Sequence, residues 1–319
     1  MEDIRSGIVG SGGMACSHAA AFDELEGVRI CAIAARNQET GSSLAEQYGV
    51  PLDADWESLL RRDDLDAVAI CTNNDSHGPI SIGAVEAGKH VFAEYPLARR
   101  IEEADHLIEL TRESQFVFRV THRGLPTEIH AVAAELGPLL EAVFVRLTPG
   151  RGRRPETLFN LNISGPPALF FIYQIFGLVE LFGQAKWVDA SCHYSNLSED
   201  GGYQRFVNST SVEFARGGLA QWTWAGGIEI EEAEEYQRFV FERGSLLRED
   251  GNWLRSGKSG TDQLKIDAVT PCSLHETFLN DIRTKDGAWR DTLSTAYDAV
   301  KISLGAERSM LEEKRIFLH

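Results

Sequence analysis

The chain has no apolar run of the roughly 18 residues that a membrane-crossing helix requires. Its longest candidate, Pro166 to Phe182, is interrupted by Tyr173, Gln174 and Glu180. Basic residues are scarce: 31 Lys and Arg stand against 48 Asp and Glu, a formal net charge of −17. A chain of that sign repels phosphate backbones and anionic lipid, which sets aside nucleic acid and membrane surfaces as partners. Cysteine is sparse and unpatterned. The five thiols, Cys16, Cys31, Cys71, Cys192 and Cys272, are odd in number, and none is spaced C-x-x-C. Cys31 and Cys71 fall within apolar runs, the placement of reduced buried thiols rather than of a disulfide framework or a zinc site. No histidine pair has H-x-x-x-H spacing with a carboxylate nearby, so no metal is expected. Repeats, low-complexity tracts and long linkers are missing too. The opening Met-Glu-Asp-Ile-Arg leads straight into a short apolar strand with no basic or apolar leader, and the expected compartment is the cytoplasm.

What is present is ordinary globular material, 319 residues that are 43% hydrophobic, enough for two domains. The first part alternates short β-branched runs with helical patterns. Strands are expected at Ile4–Val9, Val28–Ala34, Ala67–Cys71, His90–Ala93 and Phe116–Val120. Helices are expected at Met14–Leu25, Glu39–Tyr48, Trp56–Leu60, Pro79–Ala87 and Glu102–Glu113. This alternation implies right-handed βαβ units and a parallel, doubly wound sheet of the Rossmann type over residues 1–122.

Between the first strand and first helix stands Gly10-Ser11-Gly12-Gly13-Met14-Ala15, a G-x-G-x-x-A turn. Gly10 permits the tight turn, Gly12 a close approach of backbone to a pyrophosphate, and Ala15 tight helix–strand packing. The second strand ends Ala34-Ala35-Arg36-Asn37, without the carboxylate that accepts hydrogen bonds from a ribose 2′-hydroxyl. Arg36 suits a 2′-phosphate instead, so the expected cofactor is NADP(H), with Asn37 beside it.

Residues 123–319 are expected to form an α+β substrate and oligomerisation domain. Strands are expected at Leu140–Leu147, Ala185–Tyr194, Thr210–Ala215, Gly218–Ala225 and Tyr236–Glu242, with a pair at Ser245–Glu249 and Asn252–Arg255. Arg216-Gly217-Gly218 reads as a hairpin turn. Trp222 and Trp224 serve either a homodimer contact through this sheet or its core. The carboxylate-rich run Glu229 to Glu235 reads as a solvated edge or loop. Arg151-Gly152-Arg153-Arg154 is the notable cationic cluster of an acidic chain, either a solvated loop or a clamp for substrate carboxylates. His18 reads as a packing residue of the first helix.

Two further stretches carry a resemblance. Thr72-Asn73-Asn74-Asp75-Ser76-His77 and Ala87-Gly88-Lys89-His90-Val91-Phe92-Ala93-Glu94-Tyr95-Pro96-Leu97-Ala98 resemble the Gfo/Idh/MocA family of oxidoreductases. The resemblance implies that Thr72, Asn73, Asn74, His77 and Glu94 line the nicotinamide side of the site. It implies that His122 and Arg123 reach the substrate, and that the second domain is a large, mostly antiparallel sheet. Most family dehydrogenases have Lys where this chain has Tyr95, with an Asp and a His where Tyr173 and Phe176 fall. The base for oxidising a carbinol is therefore missing, while a tyrosine can still orient or donate a proton.

A Glu-Tyr-Pro turn is similar to that of the family's biliverdin reductase-like subgroup, as is the helix closing on Leu181-Phe182-Gly183. That likeness implies NADPH-dependent hydride transfer to a planar, conjugated, carboxylate-bearing substrate such as biliverdin, giving bilirubin. Tyr95 and Glu94 are then the candidate catalytic residues. Phe170, Phe171, Tyr173 and Phe176 supply either flat walls for the substrate or a helix core, and Gln174 is a further candidate substrate contact. One departure is that Gln174 and Gly177 stand where bacterial members of the subgroup carry arginines. Other implied readings are a sugar or polyol dehydrogenase with atypical catalytic residues, and a non-catalytic NADP-binding sensor or bilin-binding protein.

Overall fold

The computed structural model describes residues 3–150, 155–249, 251–267 and 273–318. Of the residues singled out above, Arg151, Arg153 and Arg154 lie outside the described residues, as does the side chain of Phe170. The chain divides into two compact units, Met1–Arg123 with Val269–Tyr297, and Gly124–Ala268 with Asp298–His319.

The first unit follows its apolar runs. Its elements are β1 (Ile4–Val9), α1 (Gly13–Asp23), β2 (Val28–Ala34), α2 (Gln38–Tyr48), β3 (Leu52–Asp53), α3 (Trp56–Leu60), β4 (Ala67–Ile70), α4 (Asn74–Glu86), β5 (His90–Ala93), α5 (Ile101–Arg112) and β6 (Phe118–Val120). The strands pair in parallel in the order β3-β2-β1-β4-β5-β6. β4 is buried along its whole length, as a central parallel strand must be when helices cover both faces. The order reverses between β1 and β4, and ligands bind at such switch points beyond the strands' carboxyl ends.

α4 starts five residues before Pro79, where the sequence places its start. Pro79 gives up one intrahelical bond, and the burial of Ile80, Ala84 and Val85 on the sheet offsets that loss. This extension puts Asn74 and His77 on the helix itself.

α10 (Ser273–Thr284) and the start of α11 (Trp289–Glu312) also belong to this unit. Arg119 of β6 donates from Nε to Asp281 of α10 at 2.7 Å, and both side chains are buried. Phe278 packs against Phe92 at 5.2 Å between centroids.

In the second unit lie α6 (Thr127–Leu136), β7 (Leu139–Pro149), α7 (Pro155–Leu158), α8 (Pro167–Phe170) and α9 (Ile172–Phe182). They are followed by β8 (Ala185–Ser195), β9 (Arg205–Phe214), β10 (Leu219–Ile228), β11 (Glu234–Phe241), β12 (Gly244–Glu249), β13 (Asn252–Gly257), β14 (Gly260–Leu264) and β15 (Ile316–Phe317). Among the described residues nine strands form one sheet, ordered β14-β13-β12-β11-β7-β10-β9-β8-β15, and its pairings are antiparallel except that between β7 and β10. A parallel Rossmann sheet and a mostly antiparallel second sheet are the expected architecture.

The apolar face of the second sheet carries Phe144, Trp222, Trp224 and Phe239, all buried. The two tryptophans are therefore core, stacked at 5.1 Å. Gly217 and Gly218, at φ of +90° and +93°, make the β9–β10 turn, and a Cβ on Gly218 would meet the Phe182 ring at 2.2 Å. The apolar helix expected to close on Leu181-Phe182-Gly183 is broken at Phe171 into α8 and α9. Among the described residues no helix is long and apolar enough to cross a membrane.

Candidate active site

The turn after β1 is built to receive an anion. Gly10 holds φ at +122°, and a Cβ there would come within 2.3 Å of the Cys71 carbonyl oxygen. Only glycine lets β1 and β4 close on each other at the switch point. Gly12 caps α1 with extended backbone and no side-chain acceptor, so the first amides of the helix remain open. Ala15 is fully buried beneath them, and Gly13 and Met14 begin the helix. Ser11 shares a 2.6 Å hydrogen bond with Thr40. Arg36 is exposed directly before Asn37, whose Oδ1 accepts from the Thr40 N–H and caps α2. These residues fit a dinucleotide: open amides for a diphosphate, a glycine where its backbone must lie close, and an exposed cation at the end of β2.

The second loop runs from Thr72 through Asn73, the N-cap of α4, to Asn74. His77 ties it to the turn after β5. Its Nδ1 lies 2.9 Å from the Pro96 carbonyl and its Nε2 lies 3.1 Å from that of Thr72. Burial lowers its pKa, opposed by the two carbonyls. His77 is thus a strut between the two loops.

Glu94, the last residue before Tyr95, is buried in a chain of hydrogen bonds that sequence reading missed. His18 Nε2 lies 2.6 Å from Glu94 Oε1, and His18 Nδ1 lies 2.8 Å from His275 Nε2. All three residues are buried. His18 is therefore more than a packing residue of α1. A buried carboxylate needs such a partner. Nothing in the local sequence links the three positions, since they come from three separate elements.

Tyr95 is half-buried, its ring stacked on that of His122 with centroids 5.4 Å apart and planes at 19°. Burial pushes the His122 imidazole down to about 3, so it is neutral at physiological pH. Arg123, the next residue, is exposed. The structure thus brings Gly10 to Met14, the Thr72 loop, His77, Glu94, Tyr95 and His122 to the strand ends of one unit.

Tyr173 and Gln174 belong to the second unit, on α9. Tyr173 is half-buried, and burial raises its phenol pKa against the pull of Arg146 and Arg248. Gln174 is buried. Phe176 is buried in the core. Glu235, within the acidic run that reads as solvated, is partly buried. It accepts from Arg146 and from Arg248, and from the Gln237 amide at 2.6 Å. The run's composition hides this, because cross-strand register decides it.

An anion-receiving turn at the switch point of a doubly wound sheet, on one chain with a broad antiparallel sheet, defines a dinucleotide-binding Rossmann protein of the two-domain kind. Residues 4–122 match the Gfo/Idh/MocA model, described as an oxidoreductase family with an NAD-binding Rossmann fold, so this part of the chain is similar to that family's nucleotide-binding domain.

Among curated relatives, it is 32% identical over 120 residues to 4-carboxy-2-hydroxymuconate-6-semialdehyde dehydrogenase from Sphingobium sp., covering 37% of this chain and 38% of that one. It is 34% identical over 125 residues to an alpha-N-acetylgalactosaminidase from Shewanella oneidensis, covering 36% of this chain and 27% of that one. The matches thus span well under half the length of these relatives.

Among solved structures it is similar to biliverdin reductase in complex with biliverdin and NADP+ from Synechocystis sp. PCC 6803, with TM-score 0.86, 21% identity, and 96% and 99% of the two chains covered. It is likewise similar to levoglucosan dehydrogenase in complex with NADH, with TM-score 0.83, 19% identity and both chains covered in full. At these identities the structural likeness is one of fold.

Proposed function

We propose that this protein is an NADPH-dependent reductase of a planar, conjugated, carboxylate-bearing molecule, with a bilin such as biliverdin as the first substrate to test. The observation that carries this reading is the Tyr95–His122 stack, in which the imidazole is kept neutral by burial. A phenol beside a neutral imidazole is a poor base near pH 7 and a serviceable proton donor. Such a pair suits adding a proton to an electron-rich acceptor better than taking one from a carbinol. NADPH, when bound, supplies the hydride.

Gly10 to Met14 would hold its diphosphate, Arg36 with Asn37 its 2′-phosphate end, and Thr72, Asn73, Asn74 and His77 its nicotinamide end. Tyr95 would orient or protonate the acceptor, with Glu94 held beside it by His18. Arg123, the Arg151, Arg153 and Arg154 loop, Phe170, Tyr173 and Gln174 remain proposed substrate contacts, and a homodimer through the second sheet a proposed assembly. Support from outside the chain comes from two names: a biliverdin reductase shares the fold, and the Sphingobium relative is named for a carboxylated, conjugated semialdehyde.

The test is absorbance of biliverdin with the protein and NADPH. Loss of the long-wavelength bilin band with growth of a bilirubin-like band is the expected result. Absence of both turnover and binding would remove the bilin assignment. Oxidation of a cyclitol or hexose with NADP+ would move the protein to the dehydrogenases, and nucleotide binding without any transfer to the sensors.

A further inference from the structure

The packed face of the second sheet changes character at one end. Register aligns Arg146 of β7 with Trp224 of β10 on one side and Glu235 of β11 on the other. Gln237 of β11 is aligned with Arg248 of β12, and lies two residues from Glu235 on the same face. A tryptophan, two arginines, a glutamate and a glutamine thus share one patch. Phe171 is laid over it, its ring 4.8 Å from that of Trp224 and its centroid 5.6 Å from the Arg146 guanidinium carbon. Tyr173 packs 6.4 Å from Phe171, and its phenol feels Arg146, Glu235 and Arg248. Gln174 opens α9 with its N–H donating to the Phe171 carbonyl at 2.9 Å.

Glu235 satisfies only part of this patch, and the buried polar atoms that follow have no hydrogen-bond partner among the described residues. Gln174 is 6% exposed, and neither its amide oxygen nor its amide nitrogen has a hydrogen-bond partner. Trp224 is 1% exposed, and its Nε1 donor is also unpaired. Arg146 Nε is a third buried donor without an acceptor. Buried polar groups are nearly always paired, so three residues that each carry an unpaired buried atom call for an explanation. The charges are unbalanced in the same direction. Glu235 takes an Nη of each arginine, and two guanidiniums against one carboxylate leave one positive charge. Donors exceed acceptors, one cation is in surplus, and aromatic rings stand around them.

We propose that this end of the second sheet binds one carboxylate of an aromatic or conjugated acid. Arg146 Nε, Trp224 Nε1 and the Gln174 amide donate to the carboxylate, and Phe171 and Tyr173 flank the flat group that bears it. Only its role as the substrate's anchor rests on the reductase reading. The chemistry of the patch specifies a single anionic group, and needs no help from the arginines at 151, 153 and 154.

The experiment is calorimetric titration of the full-length protein, without nucleotide, with trans-cinnamate and with methyl cinnamate. The acid should bind at least tenfold more tightly than the ester. Arg146→Gln and the more exposed Arg248→Gln should each erase most of that preference. Gln174→Leu should weaken cinnamate severalfold while raising the thermal midpoint, because it removes an unpaired buried amide; a purely structural Gln174 would lower both. Equal binding of acid and ester, binding of neither, or indifference to both arginine variants would overturn the site. Running biliverdin reduction in parallel separates the two ideas. Cinnamate binding without any bilin binding or turnover leaves the site standing and the bilin reductase reading fallen. Bilin turnover whose KM ignores Arg146→Gln, with no preference for cinnamate, does the reverse.

Discussion

Arg36 stands exposed one residue before the cap of α2, at the end of β2 where the carboxylate of an NAD-specific site is absent. Charge-assisted contacts between guanidinium and phosphate contribute about 1.5–3 kcal/mol. Arg36→Asp should therefore weaken NADPH at least tenfold and leave NADH unchanged or tighter, read by nucleotide fluorescence; equal wild-type affinities for the two would sink the NADP assignment. Tyr95→Phe should lower the turnover of the bilin about a hundredfold with the NADPH dissociation constant unmoved, the pattern of a lost proton donor. An unchanged rate would show that the phenol takes no part.

At this scale the sequence is legible where a residue's role follows from its immediate neighbours, as with Gly10, Gly12 and Ala15 in their turn. Legibility fails where the partner is distant. His18 has its role from Glu94 and His275, and Glu235 from Arg146 and Arg248, and no spacing rule reaches across those separations.

Among the elements, the Rossmann strands were readable because buried parallel strands are short unbroken apolar runs punctuated by turn residues. α4 was readable except for its start, where Pro79 looked like a first-turn residue and is an interior one. α6 and β14 had no pattern strong enough to announce them; β14 reads Gly-Thr-Asp-Gln-Leu and is held by pairing to β13.

α10 shows what an element gains from a distant partner. The Arg119–Asp281 pair joins it to β6, with both side chains at least nine-tenths buried. Removing one member strands a buried charge, which costs about 3–5 kcal/mol. Arg119→Ala should lower the unfolding free energy read from urea denaturation by that order, and Arg119→Met with Asp281→Leu together should cost much less. Additive single-variant losses in the double would refute the pairing.

For the whole molecule, buried histidines set the response to acid. Burial depresses His90 to about 4 and His122 to about 3 from an ordinary 6.5, and His90 Nδ1 accepts from the Val117 N–H, which requires the neutral ring. Below 6.5 the unfolded chain takes up protons that the folded one refuses, so their stabilisation is complete above 6.5 and is lost as pH falls toward 4 and 3. Glu180, raised by burial to about 6 from 4.5, works the other way, stabilising below 4.5 and losing that contribution as pH rises through 6. Burial also lowers His77 and His130 and raises Glu103, so the histidines outnumber the glutamates and the thermal midpoint is lower at pH 5 than at pH 7. His90→Gln should flatten the decline and Glu180→Gln should steepen it; no change in slope for either would show that these groups do not govern it.

The first unit is discontinuous in the chain, since residues 269–297 return to it after residues 124–268, which belong to the other. A ribosome adding about 5–20 residues each second delivers Arg119 on the order of ten seconds before Asp281. During that interval the nascent nucleotide-binding sheet carries an arginine whose burial has no counter-charge, and an outer surface that awaits Phe278. Its completion therefore waits until α10 has been synthesised and has left the exit tunnel. A stalled or truncated product would expose that unfinished surface to chaperones and proteases, however complete its glycine turn.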